Sequence, residues 1–207
     1  MRKRQMNQPS MTRQFNESVS DEELKSLPVS QFEGRVTLVD TMKKFYKVMP
    51  QLNKSGVLGF DTETRPSFRK GERHKVSLLQ FADDRNAWLF RLNIIGLPEE
   101  LAAMLSDPDI IKVGVAIHDD IKALRKLRPF EPGGFIDLQT VVAAHGIKQL
   151  GLKKLSALVL GFSISKSQQV SNWEAPALTE SQMTYAATDA WVCRRIYFTI
   201  NGKEFYQ

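Results

Sequence analysis

Two carboxylates stand at the end of an apolar segment, Val57–Thr64, and this feature restricts the possible folds more than any other. Residues 57–60 are apolar or glycine, which is typical of a strand covered on both faces. Because side chains alternate along a strand, Asp61 and Glu63 point to one face, roughly 6–7 Å apart. They repel each other and resist burial unless cations neutralise them. The segment predicts a divalent-metal site with oxygen ligands; the alternative is a strand that ends in water with two solvated acids.

The composition indicates a soluble, intracellular protein with one folded domain. The chain has 207 residues, of which 42% are hydrophobic and 25% charged, enough to bury a full core. No apolar run approaches the roughly 18 residues of a membrane span, and the N-terminus lacks the apolar core of a signal peptide. A single cysteine, Cys193, permits no internal disulfide, which favours a reducing compartment such as the cytoplasm. The net charge of +6 is a weak indication of a polyanionic partner.

Residues 1–28 differ in composition from the rest of the chain. The first 20 residues are rich in Arg, Lys, Gln, Asn and Ser and contain few apolar side chains, which predicts a disordered basic tail. The folded domain is expected to span residues 29–207. The basic residues of the tail are interpreted as contacts to a phosphate backbone or as a targeting arm. The alternative is a solvated tail without a function.

The folded part alternates between strand and helix patterns. Strands are predicted at residues 35–39, 57–64, 76–82, 87–92 and 110–115, and helices at residues 41–52, 98–105, 119–127, 138–145, 152–160 and 180–199. The strands at 76–82 and 87–92 are expected to form a hairpin, with the turn at 83–86. Strands that first pair as a meander and then alternate with helices predict an α/β fold with a mixed sheet.

The final helix carries a carboxylate on an otherwise apolar face. Thr179 with Gln182 three positions later forms a capping box, which defines the start of the helix. Tyr185 and Asp189 are four residues apart and therefore share a face. Aspartate is a poor helix former in mid-helix, so Asp189 needs a partner. That partner is either a metal ion or one of two arginines further along the helix, Arg194 and Arg195.

A fourth candidate metal ligand lies where the strand at 110–115 ends and a helix begins. Ligands of open α/β sheets bind at the carboxyl ends of the strands. Asp120 lies there, although acids in the first turn of a helix are also favoured by the helix dipole, and for Asp119 that second interpretation is preferred. Asp137 is interpreted as the N-cap of the helix that follows it.

Three short motifs occur in order along the chain: Asp61-Thr62-Glu63, Asp120 and Tyr185-x-x-x-Asp189. In order and spacing they resemble the motifs of the DEDDy 3′–5′ exonucleases, which belong to the DnaQ-like superfamily. The resemblance runs from about residue 36 to residue 197 and is closest to Werner-type exonuclease domains, then to ribonuclease D. It implies a ribonuclease H-like mixed sheet flanked by helices. Thr184 occupies the position where the sister subgroup carries histidine, so the tyrosine type is implied.

The resemblance also implies a reaction and a set of roles. Such enzymes hydrolyse phosphodiester bonds from 3′ ends and release nucleoside 5′-monophosphates, using two divalent ions, Mg²⁺ or Mn²⁺. By this resemblance Asp61 contacts both ions, and Glu63 and Asp189 hold the ion that activates water. Asp120 holds the second ion. Tyr185 orients the attacking water, because a phenol with a pKa near 10 is a poor base.

Substrate contacts are expected after the first motif. The candidates are Thr62, Thr64, Arg65, Phe68, Arg69 and Lys70. Phe68 is predicted to stack on a terminal base, with partial burial as the alternative. The basic loop is predicted to follow the phosphate backbone, with a solvated loop as the alternative. DNA is favoured over RNA as the substrate, and no membrane partner is expected. The competing hypothesis is a nucleic-acid-binding module that has lost catalysis, which the presence of all four acids disfavours.

Overall fold

The computed structural model describes residues 14–69 and 71–202. Its strands are β1 (Arg35–Val39), β2 (Val57–Thr64), β3 (Val76–Ala82), β4 (Asn86–Arg91), β5 (Ile111–Gly114) and β6 (Phe135–Asp137). Its helices are α1 (Asp21–Ser26), α2 (Met42–Leu52), α3 (Leu92–Ile95), α4 (Glu99–Ser106), α5 (His118–Leu127), α6 (Leu138–Ala143), α7 (Leu152–Leu155) and α8 (Glu180–Ile200). No described helix is long and apolar enough to cross a membrane.

The six strands form one mixed sheet in the order β1-β4-β3-β2-β5-β6. The pairs β2–β3 and β3–β4 are antiparallel, whereas β1–β4, β2–β5 and β5–β6 are parallel. The α/β fold with a mixed sheet is therefore confirmed, as is the hairpin. β6 was not predicted as a strand, because three residues are too few to show a period.

Helices cover both faces of the sheet. One core cluster packs α2, α4 and α5 against the sheet through side chains such as Phe45, Leu101 and Leu124. The other packs α6, α7 and α8 against the opposite face through Val142, Leu155 and Val192. Aromatic and branched side chains on the inner strands fill both layers, which is why the strands are apolar on both sides. β2 is a central strand, so its carboxyl end emerges from the middle of this sandwich.

Helix boundaries follow local capping chemistry. Thr41 and Thr179 accept backbone N–H bonds as N-caps of α2 and α8, and the predicted capping box of α8 is present. Asp137 is the N-cap of α6, as predicted. The predicted single α-helix at 152–160 is wrong: α7 continues as a π-helical turn, Ser156–Leu160, which ends at Gly161 with a φ of 76°.

The segment 14–28 packs on the fold rather than extending from it. α1 begins at a capping box of Ser20 and Glu23. The side chain of Val19 is buried, and its backbone N–H donates to Gln149 (3.0 Å). The backbone N–H of Lys148 donates to the carbonyl of Glu17. The expected disorder is therefore wrong for residues 14–28, where long-range contacts outweigh local composition; residues 1–13 lie outside the described residues.

Candidate active site

Three carboxylates meet where β2 passes beneath α8. One oxygen each of Asp61, Glu63 and Asp189 lies within 4.8 Å of the other two. Gly59 makes this approach possible, because a Cβ atom there would lie 1.7 Å from the carbonyl oxygen of Ala190. The glycine lets the helix backbone rest on the strand, and Asp189 is the residue that precedes the contact. Two elements distant in sequence thereby build one acidic cluster.

The cluster is electrostatically unfavourable without a cation. Burial, followed by repulsion from Asp189 and Glu63, holds the pKa of Asp61 well above its ordinary value. Burial and then the charge of Asp189 raise the pKa of Glu63 to about 9. Burial also raises the pKa of Asp189 to about 7, against the opposing effects of the Tyr185 hydroxyl and Lys166. Carboxylates that repel each other in a low-dielectric site bind protons or cations.

Tyr185 is held beside Asp189. Its hydroxyl hydrogen-bonds the Asp189 carboxylate, and its ring packs on the buried Trp173 with ring centroids 6.0 Å apart. Burial and then the negative charges of Asp189 and Glu63 raise the pKa of the phenol above its ordinary value. The hydroxyl therefore stays protonated at neutral pH, where it can donate a hydrogen bond but not take a proton.

Asp120 interacts electrostatically with the cluster and is bound to β2 through Thr62. It lies in the first turn of α5, and its carboxylate accepts a hydrogen bond from the Thr62 hydroxyl (2.5 Å). Burial raises its pKa to about 6, and its charge in turn raises the pKa values of Asp61 and Glu63. Asp120 is thus close enough to interact with the cluster, although it is separate from the group of three mutually close ligands.

The arginines of α8 have other partners. Arg194 donates to the carbonyl of Val57 (2.9 Å) and pairs with Asp84. The guanidinium of Arg195 lies over the ring of Trp191. The alternative in which Arg194 neutralises Asp189 is therefore wrong, because that side chain points away along β2.

The residues present fit a divalent cation with hard-oxygen ligands. Carboxylate oxygens at this spacing suit Mg²⁺ or Mn²⁺, and the described residues offer no cysteine or histidine in the cluster. Gln80 lies opposite Asp61 in the β2–β3 register, which places both side chains on one face. Gln80 is fully buried, and its amide atoms have no hydrogen-bond partner among the described residues. A polar group orphaned beside repelling carboxylates is consistent with a site that takes up an ion and water.

The predicted substrate residues belong to the last part of β2 and to the segment that follows it. Phe68 is 83% exposed, so its partial burial is wrong. Thr64 and Arg69 are exposed, whereas the hydroxyl of Thr62 is engaged by Asp120. Lys70 lies outside the described residues. The structure therefore leaves an aromatic ring and a basic side chain exposed to solvent within five residues of the end of β2.

Contacts that the sequence did not predict hold this loop against the segment before α8. Arg65 forms an ion pair with Glu174 (3.3 Å), and Ser77 donates to the same carboxylate (3.5 Å). The buried guanidinium of Arg91 donates to the carbonyl of Ala175 (2.6 Å). No local pattern signals such pairs, since the partners lie 84 to 109 residues apart. Trp173, in the same segment, is fully buried and packs in the core.

Comparisons with known proteins agree with this geometry. A family model described as 3′–5′ exonuclease matches residues 36–203. The chain is 37% identical over 145 residues to exonuclease 3′–5′ domain-containing protein 2 of Drosophila melanogaster, covering 68% of this chain and 24% of that protein. It is 32% identical over 154 residues to the bifunctional 3′–5′ exonuclease/ATP-dependent helicase WRN of Mus musculus, covering 71% of this chain and 11% of that protein.

A solved structure shares both the fold and part of the sequence. The EXO domain of Nibbler from Aedes aegypti superposes with a TM-score of 0.76 at 26% identity, covering 84% of this chain and 92% of that one. The curated relatives are mostly much longer. The matched segments span 24%, 27% and 39% of three of them. The similarity to these three relatives therefore covers one part of each protein and not its whole length.

Proposed function

The chain belongs to the family of 3′–5′ exonucleases, and we propose that residues 29–207 form a domain that removes nucleotides singly from the 3′ ends of DNA. The single observation that carries the proposal is the acidic cluster of Asp61, Glu63 and Asp189, with the Tyr185 hydroxyl beside it. Hydrolysis of a phosphodiester requires oxygen ligands for cations and a polar group that orients water. Both lie together at the end of β2.

The carboxylates would hold two divalent ions, Mg²⁺ or Mn²⁺. When bound, such a pair neutralises charge on the phosphate, generates hydroxide from water and assists the leaving 3′ oxygen. Asp61, whose pKa is raised by the charges of both Asp189 and Glu63, is proposed as the shared ligand. Glu63 and Asp189 complete one ion position, and Asp120 serves the other. The raised pKa values support this assignment, because cations would replace the protons that the carboxylates otherwise retain.

Tyr185 is proposed to orient the attacking water. Its phenol donates a hydrogen bond, and its raised pKa makes proton abstraction by the phenolate unfavourable at neutral pH. The packing of Trp173 against its ring restricts the ring's rotation. The hydroxyl is thereby held at the edge of the cluster, where a nucleophile must be placed precisely.

The exposed loop after β2 is proposed to grip the substrate. Phe68 presents a free ring on which the base of a 3′-terminal nucleotide can stack. The phosphate backbone is proposed to be contacted by Arg65, Arg69 and Lys70. Such contacts give binding that weakens with salt and does not depend on the base sequence. Thr64 is exposed at the end of β2 and is proposed to contact the terminal nucleotide. Thr62 is proposed to contact the nucleotide through its backbone, since its hydroxyl is engaged.

DNA is favoured because the motifs resemble the Werner type more than ribonuclease D. RNA 3′-end processing is the alternative. A second alternative, a binding module without catalysis, would require a defect in the cluster. All four acids and the tyrosine are present and are brought to one edge of the sheet, which supports catalysis.

The test is degradation of three 5′-labelled substrates: a 3′-recessed DNA duplex, single-stranded DNA and single-stranded RNA. Each is incubated with Mn²⁺, Mg²⁺ or EDTA. The variants are wild type, Asp61→Ala and the control Asp119→Ala, which removes a 90% exposed carboxylate near the cluster. We expect a metal-dependent ladder that shortens from the 3′ end and is lost only in Asp61→Ala. Binding without cleavage would support the binding module, and a ladder confined to RNA would reverse the proposed sugar preference.

A further inference from the structure

The turn between β5 and α5 has an unusual backbone. Ala116 has a φ of 57°, and it is the one non-glycine residue with a positive φ in the described segments 14–69 and 71–202. Residues with a Cβ atom rarely adopt this conformation, because Cβ then crowds the following carbonyl. Strain of this kind persists only where surrounding contacts impose it.

The carboxylate of Asp137 provides those contacts. Asp137 ends β6 and lies opposite Gly114 in the β5–β6 register. One of its oxygens accepts the N–H of Ala116 (3.1 Å), and the other accepts the N–H of Ile117 (3.3 Å). The first oxygen also accepts the N–H of Gln139 (2.9 Å), which is the α6 cap. Two of the three hydrogen bonds therefore connect Asp137 to the turn between β5 and α5, and only one caps its own helix, α6.

The same turn determines where Asp120 enters the site. Ile117 is buried and precedes α5, whose third residue is Asp120. Ile117 packs so closely on the strand that a Cβ atom at Gly114 would lie 2.5 Å from its side chain. A shift of the turn would move the first turn of α5 as a unit. The Asp120 carboxylate would then leave the position in which Thr62 donates to it.

We propose that Asp137 is a positioning residue for the metal ligand Asp120, acting through the backbone of Ala116 and Ile117. The proposal rests on the proposed function of the acidic cluster. Asp137 itself holds no ion: its carboxylate is occupied by three backbone N–H groups. Its role differs from that of a helix cap, which would stabilise α6 without affecting the metal site.

The β3–β4 turn offers a matched control. One oxygen of Asp83 accepts the N–H groups of Arg85 (2.7 Å) and Asn86 (2.6 Å), the same chemistry as that of Asp137. Asp83 directly follows Ala82, which pairs with Gly59 in the β2–β3 register. Glu63 pairs with a residue near the opposite end of β3, so Asp83 lies at the end of the hairpin that is far from Glu63. Asp83→Ala therefore removes a carboxylate that binds two backbone N–H groups in a turn, but leaves the turn that leads to Asp120 intact.

The experiment compares wild type, Asp137→Ala, Asp137→Asn and Asp83→Ala in the whole chain. Amide hydrogen exchange of the metal-free proteins is followed in peptides covering residues 114–121. Mn²⁺ binding without nucleic acid is measured by electron paramagnetic resonance, and the Mn²⁺ requirement is measured on single-stranded DNA. We expect Asp137→Ala to accelerate exchange in residues 114–121 and to raise the Mn²⁺ concentration for half-maximal activity about tenfold or more. Asp83→Ala should leave both unchanged.

Asp137→Asn keeps one oxygen for Gln139 but places an NH₂ group against a backbone N–H, so we expect an intermediate metal requirement with α6 retained. It replaces Asp137→Ala if that variant does not fold. An unchanged Mn²⁺ requirement in the folded variants, or an equal change in Asp83→Ala, would overturn the proposal. Should wild type lack nuclease activity, the proposed function fails; the exchange and Mn²⁺ binding data then still decide whether Asp137 orders the turn and supports the ion site.

Discussion

Gly59 of β2 lies directly against the backbone of Ala190 in α8, at a distance that excludes any side chain. The ideal Cβ position at Gly59 is 1.7 Å from the Ala190 carbonyl oxygen and 2.6 Å from its carbonyl carbon. This contact sets the separation between the strand that carries Asp61 and Glu63 and the helix that carries Asp189. The acidic cluster depends on it because no flexible side chain intervenes.

Gly59→Ala is predicted to displace α8 and to impair both folding and activity. The methyl group would overlap backbone, which cannot rotate away, so overpacking should cost about 1–3 kcal/mol of unfolding free energy. Activity should fall by more than the loss of folded protein explains, since Asp189 moves away from Asp61. Thermal melts and single-turnover cleavage measure the two effects. Gly56→Ala is the control, because a Cβ at Gly56 meets nothing within 4 Å, and it should leave both unchanged.

Asp61→Asn is predicted to abolish activity and yet stabilise the metal-free protein. In the metal-free protein the Asp61 carboxyl must either carry a charge beside Glu63 and Asp189 or take up a proton on folding, and both cost free energy. Asparagine avoids this cost, so the melting temperature in EDTA should rise by at least about 2 °C. Cleavage should fall more than about a hundredfold, beyond the loss typical of an outer-shell partner.

The same melts with excess Mn²⁺ separate the two effects of Asp61→Asn. Wild type should gain stability from the ion and the variant should gain much less. Asp119→Asn, at an exposed position, should behave like wild type in both buffers. A metal-free melting temperature below that of wild type would contradict the view that the cluster is repulsive without cations.

The stability of the metal-free protein is predicted to fall as pH rises from about 5 to about 9. The folded pKa values of Asp189 (about 7) and Glu63 (about 9) lie above those of the unfolded chain, near 4. Between these values the folded state binds more protons than the unfolded state, so stability decreases with pH. Melts in EDTA at pH 5, 7 and 9 should show a decline of about 5 °C or more.

Glu63→Gln tests the origin of that pH dependence. The glutamine cannot ionise, so the decline between pH 5 and 9 should be visibly shallower than in wild type. Saturating Mg²⁺ should flatten the wild-type curve as well, because the ion replaces the protons. An identical slope in Glu63→Gln and wild type would assign the pH dependence to other groups.

Tyr185→Phe is predicted to lower the turnover number about 10- to 100-fold with little change in metal affinity. The variant keeps the ring that packs on Trp173 and removes one hydrogen bond to a charged group, worth about 1.5–3 kcal/mol. Steady-state kinetics at saturating Mn²⁺ measure the effect. Because the hydroxyl is proposed to orient water and not to ionise, no acidic limb or basic limb of the wild-type pH–rate profile should disappear in Tyr185→Phe.

Phe68→Ala is predicted to weaken binding of single-stranded 3′ ends without affecting stability. The ring is 83% exposed, so its loss leaves no cavity, whereas stacking on a base is worth roughly 1–3 kcal/mol. Binding is measured by fluorescence anisotropy in Ca²⁺, which fills oxygen sites without supporting rapid cleavage. Tyr46→Ala removes another exposed ring, on α2, and should bind as wild type does. Equal affinities of the Phe68 and Tyr46 variants would exclude the stacking role.

Local sequence patterns determined the elements and the order of the acids. The apolar run of β2 with its two terminal carboxylates, the capping box of α8 and the four-residue spacing of Tyr185 and Asp189 are all readable from neighbouring residues. Such signals arise from backbone hydrogen bonding and side-chain periodicity, which act within a few residues. They also predicted the mixed α/β sheet, and the assignment of roles to the acids stays a prediction.

Only the tertiary structure decided how these elements meet. The hydrogen bond between Thr62 and Asp120, the contact of Gly59 with Ala190, and the bonds from Asp137 to a turn 20 residues away join segments whose local sequences carry no sign of one another. The segment before α1 shows the same limit, since long-range hydrogen bonds of Glu17 and Val19 hold residues whose composition predicts disorder. Packing and desolvation depend on distances in space, and these also set the pKa values that make the acidic cluster a site for cations.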